Sequence, residues 1–176
     1  QFGGPEALVW DDVPAPRAGP GEIVLRVHAA ALNYADLLQR RGTYGIEQSL
    51  PRIIGYECSG VVAEIGAGVT GWSVGDPACA LVSSGAYASF VAAPAAQVLP
   101  IPAGVNLTQA AALPEAACTV WSNMLDLAAL GAGESVLVHG GAGGIGSFAI
   151  QAAKAIGAHV FATAGSGDKL DRCRDF

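Results

Sequence analysis

Charged residues are scarce in this sequence, and the basic ones are the scarcest. Only 14% of the 176 residues are charged, and nine Lys and Arg stand against fifteen Asp and Glu, which gives a net charge of −6. Arg40 and Arg41 are the only basic residues that are adjacent in the sequence. Because a nucleic-acid surface needs clustered Lys and Arg to neutralise phosphates, this composition argues against nucleic acid as a partner.

The sequence also lacks long apolar runs and paired cysteines. Although 52% of the residues are apolar, neither a signal peptide nor a stretch of membrane-spanning length is found, so we expect a cytoplasmic protein that does not bind a membrane. The four cysteines, at positions 58, 79, 118 and 173, are far apart and form no C-x-x-C pair. We therefore interpret them as buried thiols rather than as disulfides or zinc ligands.

What the sequence does contain is a glycine-rich loop between an apolar strand and a helix. Residues 136–138 predict a buried parallel strand, and apolar residues at helical spacing after the loop predict a helix that ends at Gly157. A second strand is expected at residues 159–164. The loop spells G-x-G-x-x-G, and this strand–loop–helix setting is the one in which that motif marks a dinucleotide-binding site. The three glycines of the motif are Gly141, Gly143 and Gly146.

Each glycine of the motif has an expected physical role. The first permits a tight turn, the second lets a pyrophosphate approach the backbone, and the third lets helix and strand pack closely. The free N–H groups and the dipole at the N-terminus of the helix also favour a phosphate there. The alternative is a glycine-rich turn that binds nothing, as in any α/β protein. The residues expected to bind the cofactor at this loop are Gly141, Gly143, Gly144, Ile145 and Gly146.

The end of the second strand predicts which dinucleotide is preferred. Folds that prefer NAD usually carry Asp or Glu about 20 residues after the glycine motif, where the carboxylate binds the ribose 2′-OH. Residues 164–166 read Ala-Gly-Ser and offer no carboxylate, whereas Ser166 supplies a hydroxyl and Lys169 a cation. We therefore expect Ser166 and Lys169 to bind the 2′-phosphate of NADPH. The alternative is that Ser166 is a helix N-cap and Lys169 a solvated side chain.

The chain before the loop predicts a different architecture. Short strands separated by Gly and Pro turns over about 90 residues are typical of a small all-β barrel. A helix interrupted at Pro114 then leads into the glycine-rich strand. We divide the chain into a β-barrel domain over residues 1–114 and an incomplete nucleotide-binding domain over residues 115–176. Because a doubly wound nucleotide domain needs two βαβαβ halves, we interpret the sequence as a fragment of a larger protein.

Several phrases of the sequence together resemble a known family. They lie at residues 31–40, 60–75, 97–102, 110–115, 119–123 and 133–146. With the order β-barrel, helix and glycine loop, the chain resembles the medium-chain dehydrogenase/reductase superfamily, and more narrowly its zinc-free, zeta-crystallin-like quinone oxidoreductase branch. The resemblance implies an α/β protein with a GroES-like β-barrel domain followed by the first part of a Rossmann domain. It also implies a homodimer when the protein is full length.

The resemblance further implies that zinc is absent. Zinc-dependent alcohol dehydrogenases of this superfamily have a Cys where Asn33 stands and a His where Tyr56 stands, and the four-Cys lobe that holds their structural zinc has no counterpart here. A zinc site needs thiolate and imidazole ligands. We therefore expect no bound metal.

By the same resemblance, Asn33 and Tyr44 are the catalytic residues beside the nicotinamide and the substrate, and Thr119 and Val120 contact the nicotinamide end. Tyr44 would donate a hydrogen bond to the substrate oxygen, and a quinone is electron-poor enough for such modest donors to suffice. Taken without the resemblance, Tyr44 is equally a half-buried packing residue and Asn33 a helix N-cap. His139 follows a buried strand and is interpreted as structural.

The expected activity is zinc-independent hydride transfer from NADPH to a quinone or a related electron-poor carbonyl compound. Two alternatives stay open. One is the enoyl reductase of a polyketide synthase, which belongs to the same superfamily. The other is a relative that binds NADPH without catalysis, because Asn33 and Tyr44 would serve binding alone equally well.

Overall fold

The structure is a computed structural model that describes residues 2–45 and 52–176, and the chain divides into two units, Gln1–Pro114 and Glu115–Phe176. The first unit is built on one antiparallel sheet with the strand order β4-β1-β2-β3-β5. Its strands are β1 (Glu22–Ala30), β2 (Glu57–Ile65), β3 (Pro77–Leu81), β4 (Phe90–Pro94) and β5 (Val98–Pro100). Strand β1 pairs with β2 on one side and with β4 on the other.

The core of the first unit is formed by buried residues of all five strands. Ile23, Leu25 and Val62 are at most 1% exposed, and Val24, which points to the opposite face of β1, is 2% exposed, so this part of β1 is buried on both faces. Gly60 allows β1 and β2 to approach closely, since a Cβ there would lie 2.1 Å from the carbonyl oxygen of Arg26. The buried residues of this core are Ile23, Leu25, Cys58, Val62, Ala78, Ala80, Val82, Ala86, Val91, Ala93 and Val98.

Two helices flank the sheet of the first unit. Helix α1 (Tyr34–Arg41) ends at Gly42, whose φ of +74° is the left-handed conformation that glycine adopts without strain. Helix α2 (Leu107–Ala110) begins with a capping box, in which Oδ1 of Asn106 accepts from the Gln109 amide at 2.9 Å. Short 3₁₀ turns lie at Pro5–Ala7 and Ala95–Gln97.

The second unit is a parallel βαβ arrangement. Strands β6 (Ser135–Val138) and β7 (His159–Ala162) pair in parallel, and helix α4 (Gly144–Ile156) connects them. Helix α3 (Pro114–Val120) precedes them and continues as a π-helical segment, Trp121–Leu127, while helix α5 (Gly167–Asp175) follows. The buried core residues of this unit are Val120, Val138, Ala149 and Ile150.

The two units confirm the predicted fold class, which is an antiparallel β domain followed by the first part of a Rossmann domain. Helix α4 begins directly after the glycine loop and ends at Gly157, as the apolar spacing predicted. Among the residues that the structure describes, no helix has both the length and the apolar character needed to span a bilayer.

Candidate active-site residues

The N-terminus of α1 is held by a buried carboxylate. Oδ2 of Asp36 accepts the backbone N–H of Asn33 at 2.7 Å, and the Asp36 amide donates to the Asn33 carbonyl at 3.1 Å. The same Oδ2 accepts the hydroxyl of Tyr87 at 2.7 Å. Asp36 is only 2% exposed, and its Oδ1 has no hydrogen-bond partner within the described ranges. This atom is therefore a buried acceptor that a water or a ligand donor can satisfy.

Tyr87 is fixed by its contacts with this carboxylate. Its hydroxyl also lies 3.2 Å from the carbonyl oxygen of Ala31. Burial raises the pKa of Tyr87 well above its ordinary value, and the hydrogen bond to Asp36 and the charges of Asp36 and Glu57 act in the same direction. The phenol is therefore a neutral hydrogen-bond donor at physiological pH.

Asn33 stands at the N-cap position of α1, as expected for the residue alone, but its side chain has a different partner. Nδ2 of Asn33 donates to Oε1 of Glu57 at 2.9 Å. Glu57 is the first residue of β2 and is 3% exposed. A carboxylate can only accept, so this bond fixes which end of the Asn33 amide faces β2. The predicted contact of Asn33 with a nicotinamide stays a prediction.

Tyr44 is half-buried and lies against Tyr56. The two ring centroids are 5.7 Å apart and the ring planes are tilted by 50°. Burial raises the pKa of Tyr56 to about 12, and the proximity of Tyr44 and a hydrogen bond with it contribute in the same direction. The catalytic residue predicted from the sequence is thus one member of a phenol pair.

The glycine loop of the second unit is closed by backbone contacts. Gly140, with φ of +68°, makes the left-handed turn, and its carbonyl accepts the Gly143 amide at 2.9 Å. A Cβ on Gly146 would lie 2.4 Å from that carbonyl oxygen. The third glycine of the motif therefore allows the helix to pack against the loop itself.

Gly141 serves close packing rather than the turn expected for the first glycine. A Cβ at this position would lie 2.9 Å from Sγ of Cys173 and 3.0 Å from Cβ of Ala162. Its amide donates to the Thr163 carbonyl at 2.9 Å, which ties the loop to the end of β7. The left-handed residue, Gly140, precedes the motif by one position.

The loop fits a pyrophosphate. No side chain caps the N-terminus of α4, where Gly143 is the N-cap. Gly144 and Ile145 in the first turn are exposed, and a Cβ on Gly144 would meet no atom within 4 Å. Uncapped N–H groups in open space at the start of a 13-residue helix form an anion-binding arrangement.

Ser166 and Lys169 lie at the start of α5. Ser166 is the N-cap, as the alternative interpretation held, but its side chain makes no capping hydrogen bond. Lys169 is exposed and forms no ion pair with any residue that the structure describes. Both side chains are therefore accessible to a ligand, and their contact with a 2′-phosphate stays a prediction.

Thr119 and Val120 have different surroundings in α3. The hydroxyl of Thr119 donates to Oε1 of Glu115 at 3.3 Å, and its carbonyl accepts Nδ2 of Asn123 at 2.8 Å. Val120 is 4% exposed and belongs to the core of the second unit. Of the two predicted nicotinamide contacts, only Thr119 is partly open to solvent.

His139 is exposed at the carboxyl end of β6. Its Nδ1 lies 3.0 Å from the hydroxyl of Thr163, which follows β7. This contact joins the ends of the two parallel strands. The interpretation of His139 as a structural residue stays a prediction.

The cysteines and carboxylates do not form a metal centre in the described parts of the chain, where no three His, Cys, Asp or Glu side chains come together. The four cysteines, all of which lie in the described residues, form no disulfide; Cys58 and Cys79 are buried whereas Cys118 and Cys173 are half-buried. Burial raises the pKa of Cys58 to about 12, with Cys79 and Glu57 contributing. A thiol with such a pKa is a poor nucleophile at neutral pH.

Sequence reasoning did not find the network formed by Asp36, Glu57 and Tyr87. The spacing of Asn33 and Asp36 resembles a capping box and could have indicated the role of Asp36. Tyr87 lies 51 positions from Asp36, and no local pattern connects the two.

Comparison with known proteins gives two groups of relatives. The chain matches the alcohol dehydrogenase GroES-like domain over residues 19–103. The mycocerosic acid synthase-like polyketide synthase of Mycobacterium tuberculosis is 38% identical over 170 residues, which cover 97% of this chain and 8% of that protein. The quinone oxidoreductase of Rattus norvegicus is 37% identical over 174 residues, which cover 97% of this chain and 53% of the rat protein.

Both groups are represented among the similar solved structures, which also include a human synaptic vesicle membrane protein VAT-1 homolog-like protein (34% identity, TM-score 0.90, covering 99% of this chain and 57% of that one). The CurK enoyl reductase matches with a TM-score of 0.91 at 29% identity, and the match covers 99% of this chain and 55% of that one. The Escherichia coli quinone oxidoreductase complexed with NADPH matches with a TM-score of 0.88 at 32% identity, and the match covers 99% and 54%.

The fold and the glycine loop define the class of proteins in which a GroES-like domain precedes a Rossmann domain. The chain belongs to the medium-chain dehydrogenase/reductase superfamily, and this confirms the resemblance seen in the sequence at the level of the superfamily; the narrower quinone oxidoreductase branch stays a prediction. It spans about half the length of the rat quinone oxidoreductase and of the three solved structures.

Proposed function

We propose that the protein is a zinc-independent oxidoreductase that transfers a hydride from NADPH to a quinone or a related electron-poor carbonyl compound. The observation that carries the proposal is the uncapped, exposed N-terminus of α4 directly after β6, which fits the pyrophosphate of a dinucleotide. The 37% identity to a quinone oxidoreductase over 97% of the chain supports the choice of acceptor.

The nicotinamide cofactor supplies the hydride when it is bound, and the residues of this chain bind and orient that cofactor. The amides of Gly144, Ile145 and Gly146 would bind the pyrophosphate, since no side chain caps this helix; Gly144 and Ile145 are exposed and Gly146 is buried. Ser166 and Lys169 would hold the 2′-phosphate, because both are exposed and neither side chain is engaged in capping or in a described ion pair. Thr119 would lie at the nicotinamide end, as the resemblance implies.

The residues of the first unit act on the acceptor. Tyr44 would donate a hydrogen bond to the substrate oxygen and stabilise the negative charge that develops there on hydride transfer. Asn33 is held at the start of α1 by Asp36 and Glu57, so its amide is fixed before a ligand binds. Such preorganisation lowers the entropic cost of binding. Dimerisation of the full-length protein stays a prediction.

A second candidate function is enoyl reduction on a polyketide synthase. The 38% identity to a polyketide synthase of Mycobacterium tuberculosis and the TM-score of 0.91 with the CurK enoyl reductase favour it. The acceptor would then be an enoyl thioester, whose carbonyl oxygen also needs a hydrogen-bond donor.

One assay separates these functions. Purified full-length protein is incubated with NADPH and either a 1,4-benzoquinone or a crotonyl thioester, and NADPH oxidation is followed by absorbance. Oxidation with the quinone at a much higher kcat/KM supports the first proposal, and the reverse ratio supports the second. NADPH binding without oxidation of either acceptor would contradict both and would indicate a binding protein.

A further inference from the structure

His139 and Thr163 form a polar pair at the carboxyl ends of the two parallel strands. His139 directly follows β6, and Thr163 directly follows β7. Nδ1 of His139 lies 3.0 Å from Oγ1 of Thr163, and both side chains are exposed. The sequence favours a structural role for His139 because it follows a buried strand, whereas the structure places its ring at the surface of the second unit.

Backbone hydrogen bonds hold this pair directly beside the glycine loop. The Thr163 amide donates to the Val138 carbonyl at 3.0 Å, and the Thr163 carbonyl accepts the Gly141 amide at 2.9 Å. His139 lies between these two partners in the sequence. It immediately precedes Gly140, which turns the chain into the loop with φ of +68°. The pair is therefore fixed between the loop and residues 164–166.

This position lies between two places where a dinucleotide is expected to bind. Ligands of open α/β sheets lie outside the carboxyl ends of the strands. The start of α4 fits the pyrophosphate, and the end of the second strand is where the adenosine ribose of a dinucleotide is recognised. A group that is held between these places meets the adenosine half of the dinucleotide rather than the nicotinamide half.

The His139 ring has one nitrogen for Thr163 and another for a ligand. Nε2 makes no hydrogen bond to any residue in the described ranges, and the side chain is exposed. A threonine hydroxyl can both donate and accept, so it can hold Nδ1 in either tautomer. When Thr163 donates to Nδ1, the proton of the neutral ring is on Nε2, which can donate it to a phosphate or ribose oxygen.

We propose that His139 binds the adenosine half of the dinucleotide: Thr163 orients the ring through Nδ1, and the N–H of Nε2 donates to a ribose or phosphate oxygen of that half. His139 is then a cofactor-binding residue that also joins the strand ends, and Thr163 is a positioning residue that acts through it. The inference rests on the proposed function, in which the glycine loop binds NADPH.

Two substitutions separate the two ring nitrogens. The amide nitrogen of Asn superposes on Nδ1 of His, and that of Gln superposes on Nε2. His139→Asn therefore keeps the contact with Thr163 and removes the donor to the ligand, whereas His139→Gln does the reverse. Isothermal titration of the full-length protein with adenosine 2′,5′-bisphosphate measures the effect.

We expect His139→Asn to weaken binding of the bisphosphate by about threefold to tenfold, which is the factor for a hydrogen bond of ordinary strength. His139→Gln should lose less affinity, because it keeps a donor near the position of Nε2. His159→Asn changes an exposed histidine at the amino end of β7 and is the matched control, which should bind as wild type does.

Other ligands locate the contact. Reduced nicotinamide mononucleotide lacks the adenosine half and should bind equally to wild type and His139→Asn. A loss that is also seen with 5′-AMP assigns the contact to the ribose and 5′-phosphate, and a loss confined to the bisphosphate assigns it to the 2′-phosphate. In protein labelled with ¹⁵N-histidine, the bisphosphate should shift the Nε2 resonance of His139 and not that of His159.

The outcomes separate this inference from the proposed function. A wild type that does not bind the bisphosphate, or a His139→Asn variant that binds it as wild type does, would overturn the inference. A loss in His139→Gln alone would also overturn it, because His139 would then only join the strands. If NADPH is oxidised with neither acceptor, the proposed activity fails, and the bisphosphate titration still decides whether His139 binds the ligand.

Discussion

Nδ2 of Asn33 donates a hydrogen bond to Oε1 of Glu57 at 2.9 Å, so the start of α1 and the start of β2 are joined by an amide–carboxylate contact. The amide nitrogen of Asn33 is a donor and cannot bind a cation. By the family resemblance, Asn33 and Tyr56 stand where zinc-dependent relatives have Cys and His ligands. The position that would hold the metal therefore offers an amide and a phenol.

We expect this protein to contain no stoichiometric zinc. Zinc requires ligands such as thiolate, imidazole and carboxylate in tetrahedral geometry, and Asn33 and Tyr56 supply neither thiolate nor imidazole. Elemental analysis of the full-length protein should give well under one zinc per chain, and a chelator should not lower NADPH oxidation. One tightly bound zinc per chain, with activity lost on chelation, would show that other residues form a metal site.

The hydrogen bond from Tyr87 to Asp36 should contribute to stability. Tyr87→Phe leaves Oδ2 of the buried carboxylate with one donor fewer, and losing a hydrogen bond to a charged group costs about 1.5–3 kcal/mol. We expect a lower Tm at neutral pH for this variant. Tyr34→Phe changes an exposed tyrosine and should leave Tm unchanged.

The same pair predicts a loss of stability at alkaline pH. The pKa of Tyr87 is raised in the folded protein, whereas an unfolded tyrosine ionises near pH 10. Above about pH 10 the unfolded chain therefore binds fewer protons than the folded one, and the free energy of unfolding falls as pH rises. Tyr87→Phe should make the decline in Tm between pH 9 and about 11 shallower. An unchanged slope would mean that Tyr87 does not couple folding to pH.

Local patterns predicted the second unit well. The apolar spacing of helix α4 and its end at Gly157, with φ of +90°, depend on residues that are neighbours in the sequence. The sequence predicts a helix interrupted only at Pro114 and does not predict the π-helical segment Trp121–Leu127. Nothing in the local composition distinguishes a π-helical from an α-helical turn there.

The polar contacts of the first unit could not be predicted from local patterns. Tyr44 follows α1 and Tyr56 precedes β2, 12 positions further along the chain, and the Asn33–Glu57 bond joins residues 24 positions apart. For Val120, the role that the family resemblance implies differs from the role that its burial indicates. The resemblance marks it as a nicotinamide contact, while the packing of α3 makes it a core residue with 4% exposure.

Two glycines of the loop should respond differently to alanine. Gly146→Ala brings a Cβ within 2.4 Å of the Gly140 carbonyl oxygen, and overpacking of this kind costs about 1–3 kcal/mol. Gly144→Ala meets no atom within 4 Å, so the fold should keep its Tm. If the pyrophosphate approaches Gly144, however, the new methyl group should weaken NADPH binding.

Thermal melts of Gly146→Ala and Gly144→Ala check the predicted stabilities, and NADPH titrations check the predicted affinities. Gly131→Ala, in the turn before β6, would bring a Cβ no closer than 3.5 Å to another atom and is the matched control, which should keep both Tm and affinity. A Gly144→Ala variant that binds NADPH as tightly as wild type would place the pyrophosphate elsewhere.

Lys169 should determine the preference for NADPH. Charge-assisted hydrogen bonds to a phosphate are worth about 1.5–3 kcal/mol each, so kcat/KM should favour NADPH over NADH by about tenfold or more. Lys169→Ala should raise KM for NADPH and leave the NADH reaction almost unchanged. Lys154→Ala, which removes another exposed lysine in the last turn of α4, is the control. Equal kcat/KM for the two cofactors would contradict the preference. Asp168, the carboxylate in the first turn of α5, would then be the candidate to bind the ribose 2′-OH of NADH.

The β6–β7 pair exposes an apolar face. Leu137 and Phe161 are register partners and are 56% and 61% exposed, while Val136 and Val138 point to the opposite face and pack toward α4. Among the described residues β6 and β7 pair only with each other, so each also presents a free edge. Exposed edges next to an apolar face favour association between chains.

A polypeptide of residues 1–176 expressed by itself should therefore self-associate or be poorly soluble, and should bind NADPH weakly. Light scattering after size-exclusion chromatography should give a mass that rises with concentration. Leu137→Glu with Phe161→Glu should lower that mass, because two charges would have to be buried in the contact. Val9→Glu, at a residue that is 82% exposed in the first unit, is the control and should not. A monodisperse monomer that binds NADPH with micromolar affinity would contradict the prediction, since the two-stranded parallel sheet would then be stable and functional with its apolar face in water.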